Sequence, residues 1–123
     1  MIIHRLDARA IRELRPQLAT LLLDAVADGF SLGFLAGLDD IQLAAYWEGV
    51  GHEVARGSRV LLGAEQDGML VGTVQLAFPQ EPNAGNRAAL EKLLVHCTAR
   101  RRGVGTALLQ AAEIEALGLR RGL

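Results

Sequence analysis

The sequence predicts an α/β fold of the α+β kind, a sheet flanked by helices, in the order β-α-α-β-β-β-α. Three observations lead there. Apolar residues recur at helical spacing over residues 7–28 and 39–54. Two strand-like runs are joined by Asp67-Gly68, a favoured two-residue hairpin turn. A last helical run begins at Gly103.

Ile2, Ile3 and Leu6 read as a short opening strand. From Asp7 to Asp28, Ile11, Leu14, Leu18, Leu21, Leu22 and Ala25 mark one helical face, with Gly29 as its stop. Pro16 falls inside this run, so either the helix kinks there or a new one starts with Pro16 in its first turn. The Asp39-Asp40 pair supplies a cap for the next helix, whose face is Leu43, Trp47, Val50 and Val54. Gly49 and Gly51 each weaken that helix by about 1 kcal/mol relative to alanine. Arg59–Gln66 and Met69–Pro79 form the hairpin. Asn83–Asn86 reads as a loop, and Ala88–His96 as a third strand of this run. Gly103–Leu117 closes the chain as a helix with Val104, Ala107, Leu108, Ala111 and Ile114 on its face and Gly118 as its C′ residue. No repeat or linker divides residues 1–123, which read as one domain.

Composition narrows the function. The 123 residues are 50% hydrophobic and carry 13 basic against 14 acidic side chains, a net charge of -1. That balance argues against general nucleic-acid binding, which needs a basic excess, and the hydrophobicity argues against disorder. No apolar run is long enough for a membrane span and the N-terminus carries no signal-peptide pattern, so a cytoplasmic location is expected. Cys97 is the single cysteine, which allows no intrachain disulfide and predicts no metal cluster.

The stretch from Leu93 to Ala107 stands apart. An apolar strand ends in Leu93-Leu94-Val95-His96, an Arg100-Arg101-Arg102 turn follows, and Gly103 and Gly105 open a helix. Helix N-termini leave N–H groups unpaired and carry partial positive charge, so they bind anions. Glycines there let an anion approach the backbone. Without the three arginines the net charge of -1 would be -4, so positive charge is concentrated at this turn. A phosphate or pyrophosphate is the expected ligand. Two nucleotide patterns fail: the only lysine is Lys92, so there is no Gly-x-x-x-x-Gly-Lys, and Leu108 stands where Gly-x-Gly-x-x-Gly needs its third glycine.

Arg100-x-x-Gly103-x-Gly105 resembles the Arg/Gln-x-x-Gly-x-Gly/Ala signature of the GNAT acyl-CoA N-acyltransferases. Leu93-Leu94-Val95-His96 resembles that family's central strand, and the element order agrees over essentially the whole chain. Ser31-Leu32-Gly33-Phe34 with Leu38-Asp39, and Asn86-Arg87-Ala88 before Lys92-Leu93, resemble the tabtoxin-resistance type within the family. The resemblance implies a mixed, mostly antiparallel sheet and acetyl-CoA as co-substrate; no metal is expected. It implies that the backbone of Leu93, Leu94 and Val95 pairs with the pantetheine arm. The pyrophosphate would lie on the N–H groups of Arg101, Arg102, Gly103, Val104, Gly105 and Thr106, with the Arg100–Arg102 side chains adding charge.

Acyl transfer by direct attack of an amine needs positioning and removal of a proton from the ammonium. Glu91, on the central strand, is the candidate base, directly or through water; the alternative is a solvated or salt-bridged strand residue. The tabtoxin-resistance type implies a carboxylate where this chain has Ala89, and Glu91 lies on the same strand face. His96 reads as a hydrogen-bonded strand-end histidine rather than a base, Cys97 as a packing or surface residue, and Tyr46 and Trp47 as core-facing. The glycine-rich, apolar stretch Gly29–Gly37 either meets the acceptor or is pinned to the core by Phe30 and Phe34.

A family domain usually continues with a strand, a helix and two more strands beyond the pyrophosphate-binding helix, whereas only Leu119–Leu123 follow Gly118. The expectation is therefore a fragment of a longer protein, a gene truncated by mutation, or a chain completed by a partner copy through the open edge of the central strand. The functional expectation is an acetyl-CoA-dependent N-acetyltransferase acting on a small-molecule amine, an amino-acid-like toxin or antibiotic among the candidates. The alternatives are a CoA-binding module without turnover and a remnant that persists by self-association.

Overall fold

The computed structural model describes residues 1–27, 39–79 and 87–119. Gly29, the stretch Gly29–Gly37, the loop Asn83–Asn86 and most of the tabtoxin-type residues lie outside them. The elements run β1 (Ile2–Leu6), α1 (Ala8–Glu13), α2 (Arg15–Ala27), α3 (Asp40–Arg56), β2 (Arg59–Gln66), β3 (Met69–Ala77), β4 (Ala89–Val95) and α4 (Val104–Gly118), with one 3₁₀ turn at Cys97–Ala99.

Of the two alternatives at Pro16, a new helix is what forms. Leu14 leaves helical geometry between α1 and α2, and Pro16 sits in the first turn of α2, where its missing N–H costs nothing. Asp39 caps α3 as expected. Its Oδ1 accepts the Gln42 N–H at 2.8 Å while the Gln42 Oε1 accepts the Asp39 N–H at 3.0 Å, a reciprocal box of about 1 kcal/mol.

Strands β1-β2-β3-β4 form one antiparallel sheet in that order, so β4 is an edge strand among the described residues. Alternation along the strands divides the core in two. Leu61, Leu70 and Leu94 pack with Leu18, Leu22 and Trp47 beneath α1, α2 and α3. Val60, Leu62, Val74 and Leu76 pack with Val104 and Leu108 beneath α4. Gly72 lets α4 lie close: a Cβ there would come within 3.0 Å of Leu108, Val104 and the Leu94 carbonyl.

Two sequence expectations change in α4. The buried face is Val104, Leu108, Ala112 and Ala116, an i, i+4 row, and Ile114 points outward at 71% exposure. Spacing alone defines an apolar stripe, and packing over β2 and β3 then selects the narrower row. Gly118 is the last residue of the helix rather than its C′ residue, with Leu119 as the C-cap. β3 ends at Ala77, although the Phe78 N–H still bonds the Ser58 carbonyl at 3.0 Å.

Candidate active site

β4 carries a bulge. Gln75 pairs with Glu91 and Thr73 with Leu94, so Lys92 and Leu93 together stand opposite Val74. Lys92 takes φ 52, outside the range of regular strand. The bulge bends the strand and separates the half that bears Glu91 from the half formed by Leu93, Leu94 and Val95. Leu94 is buried, while Leu93 and Val95 are half-buried.

On the Glu91 side lies a polar cluster drawn from four elements, α3, β2, β3 and β4. Arg59, at the start of β2, donates from Nη1 to Glu91 Oε2 at 2.8 Å and to Gln75 Oε1 at 2.8 Å. Its Nε donates to Glu53 Oε2 on α3. Gln75 Nε2 donates in turn to the Tyr46 hydroxyl at 3.0 Å. Burial by itself would lower the Arg59 pKa, but hydrogen bonds and charge from Glu91 and Glu53 outweigh it and hold the guanidinium firmly protonated. Burial pushes the Tyr46 phenol up, partly offset by Gln75 and Arg59. Tyr46, Glu53, Arg59, Gln75, Glu91 and Lys92 line an open cavity of about 340 Å³, two carboxylates against two basic groups.

This placement bears on three readings. Glu91 is ion-paired, the structural alternative left open in the sequence, and its carboxylate also faces the cavity. Trp47 is wholly buried in the core, as expected. Tyr46 does more than pack, because its ring meets Trp47 edge-on and its hydroxyl reaches the polar cluster. The sequence reading missed Glu53, Arg59 and Gln75. One signal was available: Gln75 interrupts an apolar strand run, and a polar side chain 1% exposed needs partners.

On the other side of the bulge the chain turns from β4 into α4. Gly103, at φ 81, is the N-cap and provides no side-chain cap, so the first N–H groups of α4 have no capping acceptor from it. Val95, Gly103, Val104, Gly105 and Thr106 line an open recess of about 270 Å³. Arg101, at φ 65, lines it as well, and Arg101 and Arg102 are both exposed. Arg100 also lines the recess, and its guanidinium is anchored: Nε donates to the Val95 carbonyl at 3.1 Å and Nη2 to Asp24 Oδ2 at 3.2 Å. A Cβ on Gly105 would lie 3.8 Å from Leu93 and Val95, an ordinary contact.

Asp24, on α2, also accepts the Cys97 N–H at 3.0 Å. His96 Nδ1 accepts the Thr98 N–H at 3.2 Å, the hydrogen-bonded strand-end role expected of it. Cys97 is exposed, and its thiol pKa is raised by hydrogen bonding to Asp24, a group on another helix that no sequence spacing reveals.

The antiparallel sheet with helices on both faces and an edge strand running into a glycine-opened helix matches the fold of acetyltransferases of known structure. The acetyltransferase (GNAT) family model matches residues 19–123, and the chain belongs to that family. An aminoglycoside N(6')-acetyltransferase type 1 of Klebsiella aerogenes is 42% identical over 69 residues, 54% of this chain and 45% of that protein. The crystal structure of an aminoglycoside 6'-N-acetyltransferase complexed with coenzyme A superposes with a TM-score of 0.69 at 24% identity, covering 98% of this chain and 58% of the other. A ribosomal-protein-alanine N-acetyltransferase from Brucella melitensis gives a TM-score of 0.75 at 23% identity, covering 96% and 68%. The chain thus spans about half the length of the aminoglycoside acetyltransferases it matches. None of the helices among the described residues is long and apolar enough to cross a membrane.

Proposed function

We propose that this chain binds acetyl-CoA and acts as an N-acetyltransferase on a small-molecule amine. The observation that carries the reading is the uncapped start of α4 at Gly103, set directly beside the edge strand β4. Family membership and the aminoglycoside acetyltransferases among its relatives support it. In this reading the backbone of Leu93, Leu94 and Val95 pairs with the pantetheine arm as an added strand. The pyrophosphate rests on N–H groups between Arg101 and Thr106. Arg101 and Arg102 supply charge, and Arg100 holds the turn in shape through Asp24 and the Val95 carbonyl.

The acceptor amine sits in the cavity lined by Glu53 and Glu91 together with Arg59 and Lys92. Glu91 takes a proton from it, directly or through one water, and Arg59 fixes the carboxylate's position. The free amine attacks the thioester carbonyl and a C–N bond forms; as the C–S bond breaks, the second proton leaves the nitrogen for the departing sulfur, so that CoA leaves as the thiol, and Glu91 passes its proton to solvent. The thioester supplies the driving force; the protein supplies proximity and proton removal.

A second reading, a CoA-binding module without turnover, is favoured by one observation: Glu91 already forms an ion pair with Arg59. Calorimetric titration with acetyl-CoA, followed by thiol release with a panel of amines that includes an aminoglycoside, separates the two. Saturable binding with amine-dependent thiol release that Glu91→Gln reduces supports catalysis. Binding without release on any amine leaves the module reading, and no binding by the folded chain removes both.

A further inference from the structure

Just beyond β4, three different metal-ligating side chains converge from two parts of the chain. A carboxylate oxygen of Asp24, a ring nitrogen of His96 and the Cys97 sulfur lie within 4.8 Å of one another. We propose that Asp24, His96 and Cys97 hold one thiophilic divalent cation of the Zn²⁺ class, with its fourth position open to solvent.

The donor set fits that class. Thiolate, imidazole and carboxylate together suit a borderline-soft ion, and three protein ligands plus water is a common zinc arrangement. Tetrahedral bonds of zinc length place neighbouring ligand atoms about 3.3–3.6 Å apart. His96 Nε2 and Asp24 Oδ1 are 3.9 Å apart, the Cys97 Sγ lies 3.9 Å from His96 Nδ1, and the three donor atoms lie within 4.8 Å of one another, so closing the site takes contractions of up to about 1.3 Å, made by side-chain rotation.

The surroundings already orient two of the ligands. Asp24 Oδ2 accepts from the Cys97 N–H at 3.0 Å and from Arg100 at 3.2 Å, which leaves Oδ1 on the His96 side. A ligating carboxylate is commonly held by its other oxygen in this way. Arg100 therefore sits against the oxygen that does not bind. The Asp24 carboxylate and the Cys97 thiolate carry two negative charges against the ion's two positive ones. His96 Nδ1 lies 2.8 Å from Thr98 Oγ1. With Nε2 on the ion, the ring proton moves to Nδ1 and is donated to that hydroxyl, replacing the bond from the Thr98 N–H. Binding forms the metal–sulfur bond and releases the Cys97 thiol proton to solvent, with no change of oxidation state. Cys97 is exposed, so the ion has access. Once bound, it ties α2 to the turn that leads into α4.

Co²⁺ is the probe, added to the whole metal-free chain and followed by absorption. The expected result is a thiolate-to-cobalt charge-transfer band in the near ultraviolet with tetrahedral bands in the red. They saturate at about one equivalent and are bleached by Zn²⁺. Cys97→Ser removes the charge-transfer band, and His96→Gln and Asp24→Asn each weaken Co²⁺ by about tenfold or more. Circular dichroism of each variant checks that its fold is intact, and either His96→Gln or Asp24→Asn alone suffices. No saturable band in the wild type, or a folded His96→Gln or Asp24→Asn chain that titrates like it, overturns the proposal. The readout needs no acetyl-CoA and is independent of the acetyltransferase reading.

Discussion

Asp24 on α2 and Arg100 in the turn before α4 stand 76 residues apart in sequence and 3.2 Å apart in the fold. The carboxylate also accepts the Cys97 N–H, so one side chain, 15% exposed, holds both ends of the turn. Asp24→Ala leaves a guanidinium and a backbone N–H without this acceptor, a loss of about 1–3 kcal/mol. If the turn binds pyrophosphate, acetyl-CoA affinity falls by about tenfold, or 1.4 kcal/mol. A double-mutant cycle with Arg100→Ala, read by urea unfolding, should give a coupling of about 0.5–3 kcal/mol; additive losses would show that the two residues act separately.

The same carboxylate sets the behaviour of Cys97. Hydrogen bonding to Asp24, reinforced by that group's negative charge, raises the thiol pKa, so at pH 8 the thiolate fraction lies below that of an ordinary cysteine. Alkylation by iodoacetamide at that pH should be slower than that of a free thiol, despite the exposure of the residue. Asp24→Asn lowers the pKa and should speed it. Equal rates in the two chains at pH 8 would mean that the carboxylate does not govern the thiol.

Arg59 bridges Glu53, Glu91 and Gln75, so its removal affects both fold and site. Arg59→Met leaves two carboxylates near each other and the 1%-exposed Gln75 without that donor, a loss of about 1–3 kcal/mol with Glu53 and Glu91 partly solvated. Arg59→Lys should recover only part of it, because one ammonium cannot reproduce the planar fork that reaches three acceptors. Thermal unfolding of the three chains at low and high salt tests this. Full recovery by lysine would reduce the cluster to simple charge neutralisation.

What the sequence made legible was whatever rests on local pattern. The Asp67-Gly68 hairpin, the Asp39 cap and the glycine-opened helix each depend on residues a few positions apart, and each forms where expected. Pattern placed Glu91 on β4 but not Arg59 against it, because their meeting depends on sheet register. Asp24 carries no sequence signal at all: it is an ordinary polar residue on a helix, and its role appears only when α2 packs beside the β4–α4 turn. For the same reason, ligand spacing in sequence does not show Asp24 meeting His96 and Cys97.

Thr73, on β3, is wholly buried, and its Oγ1 has no hydrogen-bond partner. An unpartnered hydroxyl in an apolar environment is a cost that valine, of similar shape and higher strand preference, removes. Thr73→Val should stabilise the chain by about 0.5–1.5 kcal/mol. A midpoint in urea that stays level or falls would mean that the hydroxyl finds a partner in solution.

The two glycines that open α4 make different demands, and separating them tests the anion site most directly. Gly103 has open space around the position of a Cβ, but its φ of 81 is one that L-residues resist. Gly103→Ala should therefore cost about 1–2 kcal/mol of stability through the backbone alone. Gly105 lies inside the helix, and an alanine Cβ there makes only ordinary contacts with Leu93 and Val95. Gly105→Ala should be neutral or stabilise by up to about 1 kcal/mol, as glycine-to-alanine changes in helices do. A larger side chain at 105 projects toward Leu93 and Val95, where the proposed pantetheine and pyrophosphate paths meet. Gly105→Leu should therefore weaken acetyl-CoA by well over tenfold while leaving the helix intact by circular dichroism, and Val104→Ile should change affinity far less. If Gly105→Leu and Val104→Ile affect binding equally, the ligand does not lie along this edge of α4.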